Sequence, residues 1–265
     1  MLLQLLIGFT AALVIALAAY RAHSLSRSGA WGALVTGTLI FGLGGLPWAV
    51  LLMGFFVSSS LLTRLFKRHK SALDEKFEKG GQRDLGQVLA NGGVASVFVV
   101  LHALFPQAGW TWTAFAASLA AVNADTWATE LGVLNPSRPR LITSLKPVER
   151  GTSGGISLYG TGAALGGAAL IAGLASLFPA SGQTGSLVGF LLLTLAGLAG
   201  ALIDSLLGAT LQAIYRCPQC DKETEKHPRH SCGMETIQLR GLRWMNNDVV
   251  NLCCALSAGL IGLLI

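Results

Sequence analysis

Charge is what this sequence has least of: Asp, Glu, Lys and Arg make up 12% of its 265 residues, against ~25% in ordinary soluble domains. That scarcity, beside 52% apolar residues, excludes an ordinary soluble enzyme. It also excludes disorder, because a weakly charged chain rich in Leu, Ala and Val cannot stay solvated. The 33 glycines follow no period, which excludes a collagen-like repeat and points to close packing between membrane helices. Cysteine is sparse and odd in number, five in all, with Cys253 and Cys254 adjacent in an apolar segment; a secreted disulfide framework is excluded, and this pair reads as core. No Lys or Arg precedes the first apolar run. Despite the small residues Ala16, Ala18 and Ala19, a retained first helix is therefore expected rather than a cleaved signal peptide.

What is present is a series of apolar segments near the ~20 residues that cross a bilayer core. They fall near 2–20, 29–46, 48–66, 85–105, 111–133, 154–178, 187–214 and 247–264. The second and third can also form one hairpin turning at Gly44, Gly45 and Pro47, which would leave seven. The fold class is thus all-α, a polytopic membrane bundle of about seven or eight transmembrane helices. It reads as a single integral membrane domain over 1–265, with a Cys/His loop, 215–246, inserted before the last helix. If the N-terminus lies outside, the inner loops with their flanks are 21–28, 67–84, 134–153 and 215–246, and all 19 Lys and Arg fall on that side, 18 in these stretches and Arg64 at the adjoining end of the third segment. The connections near 44–47, 106–110 and 179–186 carry no charge. The positive-inside rule then places the charged loops in the cytoplasm and, with eight helices, both termini outside, in a cell membrane. A net charge of +6 distributed this way argues for the bilayer as partner and against nucleic acid.

Acids lie where the solvent disfavours them. Asp125, Glu130 and Asp204 fall within apolar spans, and Asp84 and Asp248 stand at inner helix ends. Each ionisable group at membrane depth costs roughly 2.5–3.5 kcal/mol on insertion scales. Asp125 and Thr129 sit one turn apart, and Ile203-Asp204-Ser205 lies at similar depth in a helix of the same direction. Carboxylates grouped with Asn, Ser and Thr are the hard oxygen ligands that suit Mg²⁺ and the phosphates it brings. The alternative is that these acids neutralise Lys or Arg across helices, or are protonated and hydrogen-bonded. Polar stripes at helix starts add Arg83, Asp84, Gln87 and Asn91 in one place and Asn247, Asp248 and Asn251 in another, where Asn246 or Asn247 equally reads as a helix cap.

The inner loops carry the complementary charge. Loop 134–153 ends in Lys146-Pro147-Val148-Glu149-Arg150-Gly151, and Gly151-Thr152-Ser153-Gly154-Gly155 is expected to open a helix whose free amides face an anion. Lys146, Arg150 and the hydroxyls of Thr152 and Ser153 complete a phosphate cradle, though not a Walker loop. Arg138 and Arg140 fit a topological or lipid-contacting role equally well. In loop 215–246, Cys217, Cys220, His230 and Cys232, with His227 to spare, present a tetrahedral zinc set or, alternatively, ordinary reduced thiols. Trp31, Trp48, Trp110 and Trp112 read as an interfacial aromatic belt, and His102 as a hydrogen-bonded helix-end histidine.

The runs Arg83-Asp84-x-Gly86-Gln87-Val88-Leu89-Ala90-Asn91-Gly92-Gly93, Asn123-Ala124-Asp125-Thr126-Trp127-Ala128-Thr129-Glu130-Leu131-Gly132, Thr152-Ser153-Gly154-Gly155, Asp204-Ser205-Leu206-Leu207-Gly208-Ala209 and Asn246-Asn247-Asp248-x-Val250-Asn251 closely resemble the transmembrane protein 19 family, also known as domain of unknown function 92. The resemblance spans nearly the whole chain. That family includes a plant phytyl-phosphate kinase, and the resemblance implies a CTP-using kinase that converts an isoprenyl monophosphate to the diphosphate. A more distant likeness to polyprenol and phytol kinases touches the Lys146 to Gly151 loop, where Arg150 departs from their Lys-x-x-Glu-Gly pattern.

On this reading Asp125 and Asp204 hold Mg²⁺ while Lys146 and Arg150 neutralise phosphate oxygens. The expected binding set around them is Arg83, Asp84, Asn91, Asn123, Glu130, Glu149, Gly151, Thr152, Ser153, Gly154, Asn247, Asp248 and Asn251. The partners are nucleotide and isoprenyl phosphate. A cytidylyltransferase on a lipid phosphate uses the same groups, and a non-enzymatic transporter or lipid-binding protein is the reading from another class.

Overall fold

The computed structural model describes residues 2–70, 76–77, 79–178 and 184–265; the expected connections 67–84 and 179–186 therefore lie partly outside the described residues. Eight α-helices are present among those described: α1 Leu2–Arg21, α2 Arg27–Leu39, α3 Leu46–Lys70, α4 Leu85–Leu104, α5 Trp110–Gly132, α6 Leu158–Ser176, α7 Leu187–Thr210 and α8 Asn247–Gly262. They follow the apolar segments closely, and five are long and apolar enough to cross a bilayer: α1, the Leu46–Phe66 part of α3, α4, α6 and α7. Between α2 and α3 the chain widens into a π turn, Ile40–Gly44, that ends at Gly45 with φ +77°.

α5 is the axis of the bundle. Every residue from Thr111 to Ala124 is buried, and α3, α4, α6, α7 and α8 all pack on this helix. Small residues make that enclosure feasible, since apolar lipid offers no hydrophobic drive between helices and close van der Waals approach must supply the attraction. A Cβ at Gly197 of α7 would stand 2.8 Å from the Cβ of Ala120, and one at Gly200 would stand 2.5 Å from that of Ala121. Trp48 and Trp112 do not join an interfacial belt. They are 2% and 1% exposed and pack with Phe115 and His102 in one aromatic cluster at the far end of α5. Trp31, 69% exposed, keeps an outward position, and His102 meets the Thr111 hydroxyl at 3.2 Å.

The four charged connections meet at the other end of the bundle. Leu25 bridges to Arg83, Glu225 donates its amide to the Lys76 carbonyl (2.7 Å), and the Ser153 hydroxyl reaches Glu225. Two expected helix boundaries are corrected here. The run Gly151–Gly155 does not open a helix: α6 starts only at Leu158, capped by Ser157. Gly155–Ile156 is instead a strand, β2, antiparallel to β1 (Arg140–Leu141), with Arg140 opposite Ile156 and Leu141 opposite Gly155. The reason is steric. Gly154 has φ +83° and presses its backbone against Ala209, where a Cβ would stand 2.5 Å from the Ala209 nitrogen. Likewise α7 ends at Thr210 rather than 214, because the Ala213 amide turns to the Met245 carbonyl (2.8 Å) and the chain enters a sheet. That sheet comprises β3 (Ile214–Cys217), β4 (Lys222–Thr224) and β5 (Ile237–Arg240), antiparallel in the order β4-β3-β5.

Candidate functional site

The ends of α3, α5 and α7 and the starts of α4, α6 and α8 surround a cavity of about 800 Å³, lined in part by the charged connections. Helices that alternate in direction bring opposite termini to one end, so residues distant in sequence converge there. Asp125 comes from α5, Asp204 and Ser205 from α7, Asn91 from α4, and Asn247, Asp248 and Asn251 from α8. Arg83, Glu130, Arg150 and the loop Gly151, Thr152, Ser153 and Gly154 also line it, as the sequence leads one to expect.

The acids are the dominant feature. The Asp204 carboxylate interacts with those of Asp125 and Glu225. Its Oδ2 is buried without a hydrogen-bond partner among the described residues. A buried polar atom left unpaired costs about 1–3 kcal/mol, more when charged, so such an atom asks for a ligand. Glu130 is 4% exposed and accepts from the Thr63 hydroxyl at 2.8 Å.

The cations are mostly engaged with protein. Arg83 donates to Ser59 and Ser60, both at 2.9 Å, and lies over the rings of Phe55 and Phe56. Burial pulls it down to about 10, against the charge of Glu130, which leaves it a cation at neutral pH. Lys79 bridges Asp84 (3.0 Å) and Asp248. Burial acts to lower its pKa, but hydrogen bonds and charge from Asp248 and Asp84 outweigh it and hold the ammonium above its usual value. Arg150 spends one nitrogen on the carbonyls of Asn135 (2.8 Å) and Pro136 (3.1 Å) while its side chain remains part of the wall.

Four expected residues stand elsewhere. Asn123 is fully buried beneath the cavity, donating to the Gly167 carbonyl (2.8 Å) and accepting from Ser58 (3.1 Å); it joins α5 to α3 and α6. Two positions before Asp125 on a helix, it faces a different direction. Asp84 caps α4 in a reciprocal box with Gln87, accepting from the Gln87 amide at 2.9 Å, and is absent from the wall. Glu149 is 79% exposed and paired with Lys76 at 2.7 Å, and Lys146 is exposed on the outer turn of the β1–β2 hairpin. On α8 the ambiguity between cap and site divides cleanly: Asn246 caps the helix, accepting from the Val249 amide at 3.1 Å, and Asn247 lines the cavity.

Sequence reasoning missed Lys79, Gln212 and Glu225, which all line the cavity. Glu225 Oε1 accepts from Ser153 (2.8 Å) and Gln212 (2.8 Å). Its segment Thr224-Glu225-Lys226 is an unremarkable charged stretch of an inner loop, with no membrane depth to single it out. In the same loop the ligand atoms of Cys217, Cys220, His230 and Cys232 all lie within 4.8 Å of one another. The donors fit zinc: the Cys217 and Cys232 sulfurs are 3.4 Å apart and His230 Nδ1 is 3.3 Å from Cys232 Sγ, near the ~3.8 Å edge expected from Zn–S bonds of ~2.3 Å.

These features define a polytopic helical membrane protein with an acid-rich polar cavity at one end of its bundle. The chain belongs to the family described as integral membrane protein DUF92, whose model matches residues 10–259. It is similar to Protein PGR of Arabidopsis thaliana, 37% identical over 90% of this chain and 88% of that protein. An uncharacterized membrane protein of Methanocaldococcus jannaschii is 31% identical over 100% of this chain and 95% of its own length. Protein VTE6, chloroplastic, of Arabidopsis thaliana is 28% identical over 86% of this chain, which spans 61% of that longer protein. No solved structure matches the chain.

Proposed function

We propose that this protein is a phosphotransferase that moves the γ-phosphoryl group of CTP to an isoprenyl monophosphate at the cytoplasmic face of a membrane. The observation that carries the reading is the pair Asp125 and Asp204, brought face to face from two helices, with Asp204 Oδ2 buried and unbonded in a cavity also lined by the cations Arg64, Lys79, Arg83 and Arg150. Two carboxylates at that depth suit one Mg²⁺ that keeps its remaining positions for water and phosphate oxygens. Bound there, the ion would supply charge neutralisation of the phosphates.

Phosphoryl transfer needs positioning and charge compensation more than covalent help from the protein. An oxygen of the acceptor phosphate attacks the γ-phosphorus, the bond to the bridging β–γ oxygen breaks, and CDP leaves with that oxygen's electron pair. The acceptor oxygen is already anionic, so no side chain has to remove a proton. Arg150 and Arg83 offset charge on the transferred group, and Thr152 and Ser153 offer hydroxyls along the hairpin. Leu198, Ala201 and Leu202 of α7 and Ala164 of α6 make part of the wall apolar, which suits the start of an isoprenoid tail. Support from relatives comes from the likeness to Protein VTE6 and from the resemblance to a family that includes a phytyl-phosphate kinase.

The test is CDP release by purified protein given Mg²⁺, CTP and phytyl or geranylgeranyl phosphate. Release that depends on the prenyl phosphate supports the reading. Pyrophosphate in place of CDP would redirect it to cytidylyl transfer, and no nucleotide consumption across a panel of prenyl phosphates would favour transport or lipid binding.

A further inference from the structure

Among the described residues, Glu225 is the one acid lining the cavity that does not come from a helix of the bundle. It follows β4 directly and lies midway between Cys220 and His230 in the sequence. The segment is anchored on both sides. Cys217 pairs with Lys222 and Tyr215 with Thr224 across β3 and β4, and the Asp221 amide returns to the Cys217 carbonyl at 2.9 Å. Beyond Glu225, the His227 ring stacks on Tyr215 at 4.4 Å. An ion shared by Cys217, Cys220, His230 and Cys232 closes this whole stretch into a loop, with Glu225 at its inner edge.

Where that loop presents Glu225 is specific. Its Oε1 meets Ser153 of the hairpin and Gln212 at the end of α7, and its charge acts on Asp204. Three carboxylates, Asp125, Asp204 and Glu225, thus gather from α5, α7 and the Cys/His loop. Gathered acids facing a buried unbonded carboxylate oxygen are the ligand set of a divalent cation.

We propose that a zinc ion held by Cys217, Cys220, His230 and Cys232 fixes Glu225 over the cavity, where its carboxylate acts with Asp125 and Asp204 in holding the divalent cation. The inference rests on the proposed reading of the cavity as a divalent-cation site, and adds that a loop outside the bundle completes it. Loss of zinc then empties the cavity of one acid without touching a helix.

Full-length protein in detergent is assayed for zinc by elemental analysis and for Mn²⁺ binding by electron paramagnetic resonance, neither of which needs turnover. One zinc per chain is expected in the unmodified protein. Glu225→Gln keeps the acceptor oxygen for Ser153 and Gln212 but removes the charge, so it should retain zinc and weaken Mn²⁺ about tenfold or more. C217S/C220S should lose zinc and weaken Mn²⁺ to a similar degree, while Glu223→Gln on the exposed side of β4 should change neither. Mn²⁺ binding within twofold of the unmodified protein in E225Q, or in zinc-free C217S/C220S, overturns the proposal. Mn²⁺ binding unchanged in D125N and D204N removes the cavity site itself, and the inference with it. Absence of CDP release beside the expected Mn²⁺ pattern sinks the kinase reading and leaves this one standing.

Discussion

Asp204 on α7 faces Asp125 on α5, and the two carboxyl groups interact directly while Asp204 Oδ2 has no hydrogen-bond partner among the described residues. Replacing either by Asn preserves shape and removes the charge that would hold Mg²⁺. Each substitution should reduce CDP release by at least ~100-fold, the scale of losing charge stabilisation in a transition state. Membrane insertion should be unchanged or improved, since a carboxylate at depth is removed. Activity retained in both variants would refute the metal role.

Arg150 and Lys146 separate in the structure although they are near neighbours in sequence. Arg150 lines the cavity and Lys146 is exposed on the hairpin's outer turn. Arg150→Ala should raise the KM for CTP at least ~10-fold, about the 1.4 kcal/mol of one charge-assisted contact. Lys146→Ala should stay within about threefold. Steady-state kinetics on the two variants decide the matter, and a larger effect at Lys146 would mean that the hairpin turns inward when substrate binds.

Lys79 ties α4 to α8 through Asp84 and Asp248, and this link should respond to pH at both extremes. Asp84 is held below its ordinary value: burial acts to raise it, but the Gln87 amide and Lys79 outweigh burial. Its contribution is therefore present above the unfolded pKa of ~3.9 and lost as pH falls through the lower folded value. Lys79 is raised, so its contribution is complete below its unfolded pKa of ~10.4 and lost as pH rises through the folded value. Thermal unfolding in detergent should show a plateau between these limits, and Lys79→Met should flatten the decline at the alkaline end. Identical profiles would show the link to be inert.

Removing the Asp84 cap is a separate experiment. Asp84→Ala deletes the acceptor of the Gln87 amide and should cost roughly 0.5–2 kcal/mol of stability, with Asp84→Asn recovering most of it. Catalytic constants of the folded fraction should change little, because Asp84 does not line the cavity. A fall in kcat without a fall in Tm would contradict that assignment.

Gly200 gives a packing test that alters no charged group. A Cβ there would stand 2.5 Å from that of Ala121 and 3.0 Å from that of Ala258, so Gly200→Val must push α7 away from α5 and α8. The cost should exceed the ~1–3 kcal/mol typical of overpacked cores. Activity should fall as well, since Asp204 rides one turn further along α7. Gly162→Ala, with open space at its Cβ, is the matched control.

The division of the chain into about seven or eight apolar helices was legible because it is a local property: each element needs an apolar run of sufficient length between polar breaks. Acids at depth were legible for the same reason, as Asp125 and Asp204 stand out against their own neighbours. Which polar residues share one space was decided only by the tertiary structure. Asn123 and Asp125 are two positions apart, yet helix rotation sends one into the packing of α3 and α6 and the other to the cavity. Close contact between Gly154 and Ala209 made a strand of a run that read as a helix start. Glu225 shares a cavity with Asp204 only because the sheet and its cysteine cluster fold back over the bundle. Long-range contacts of this kind leave no periodicity in the chain, so the residues that close the site were the ones hidden from the sequence.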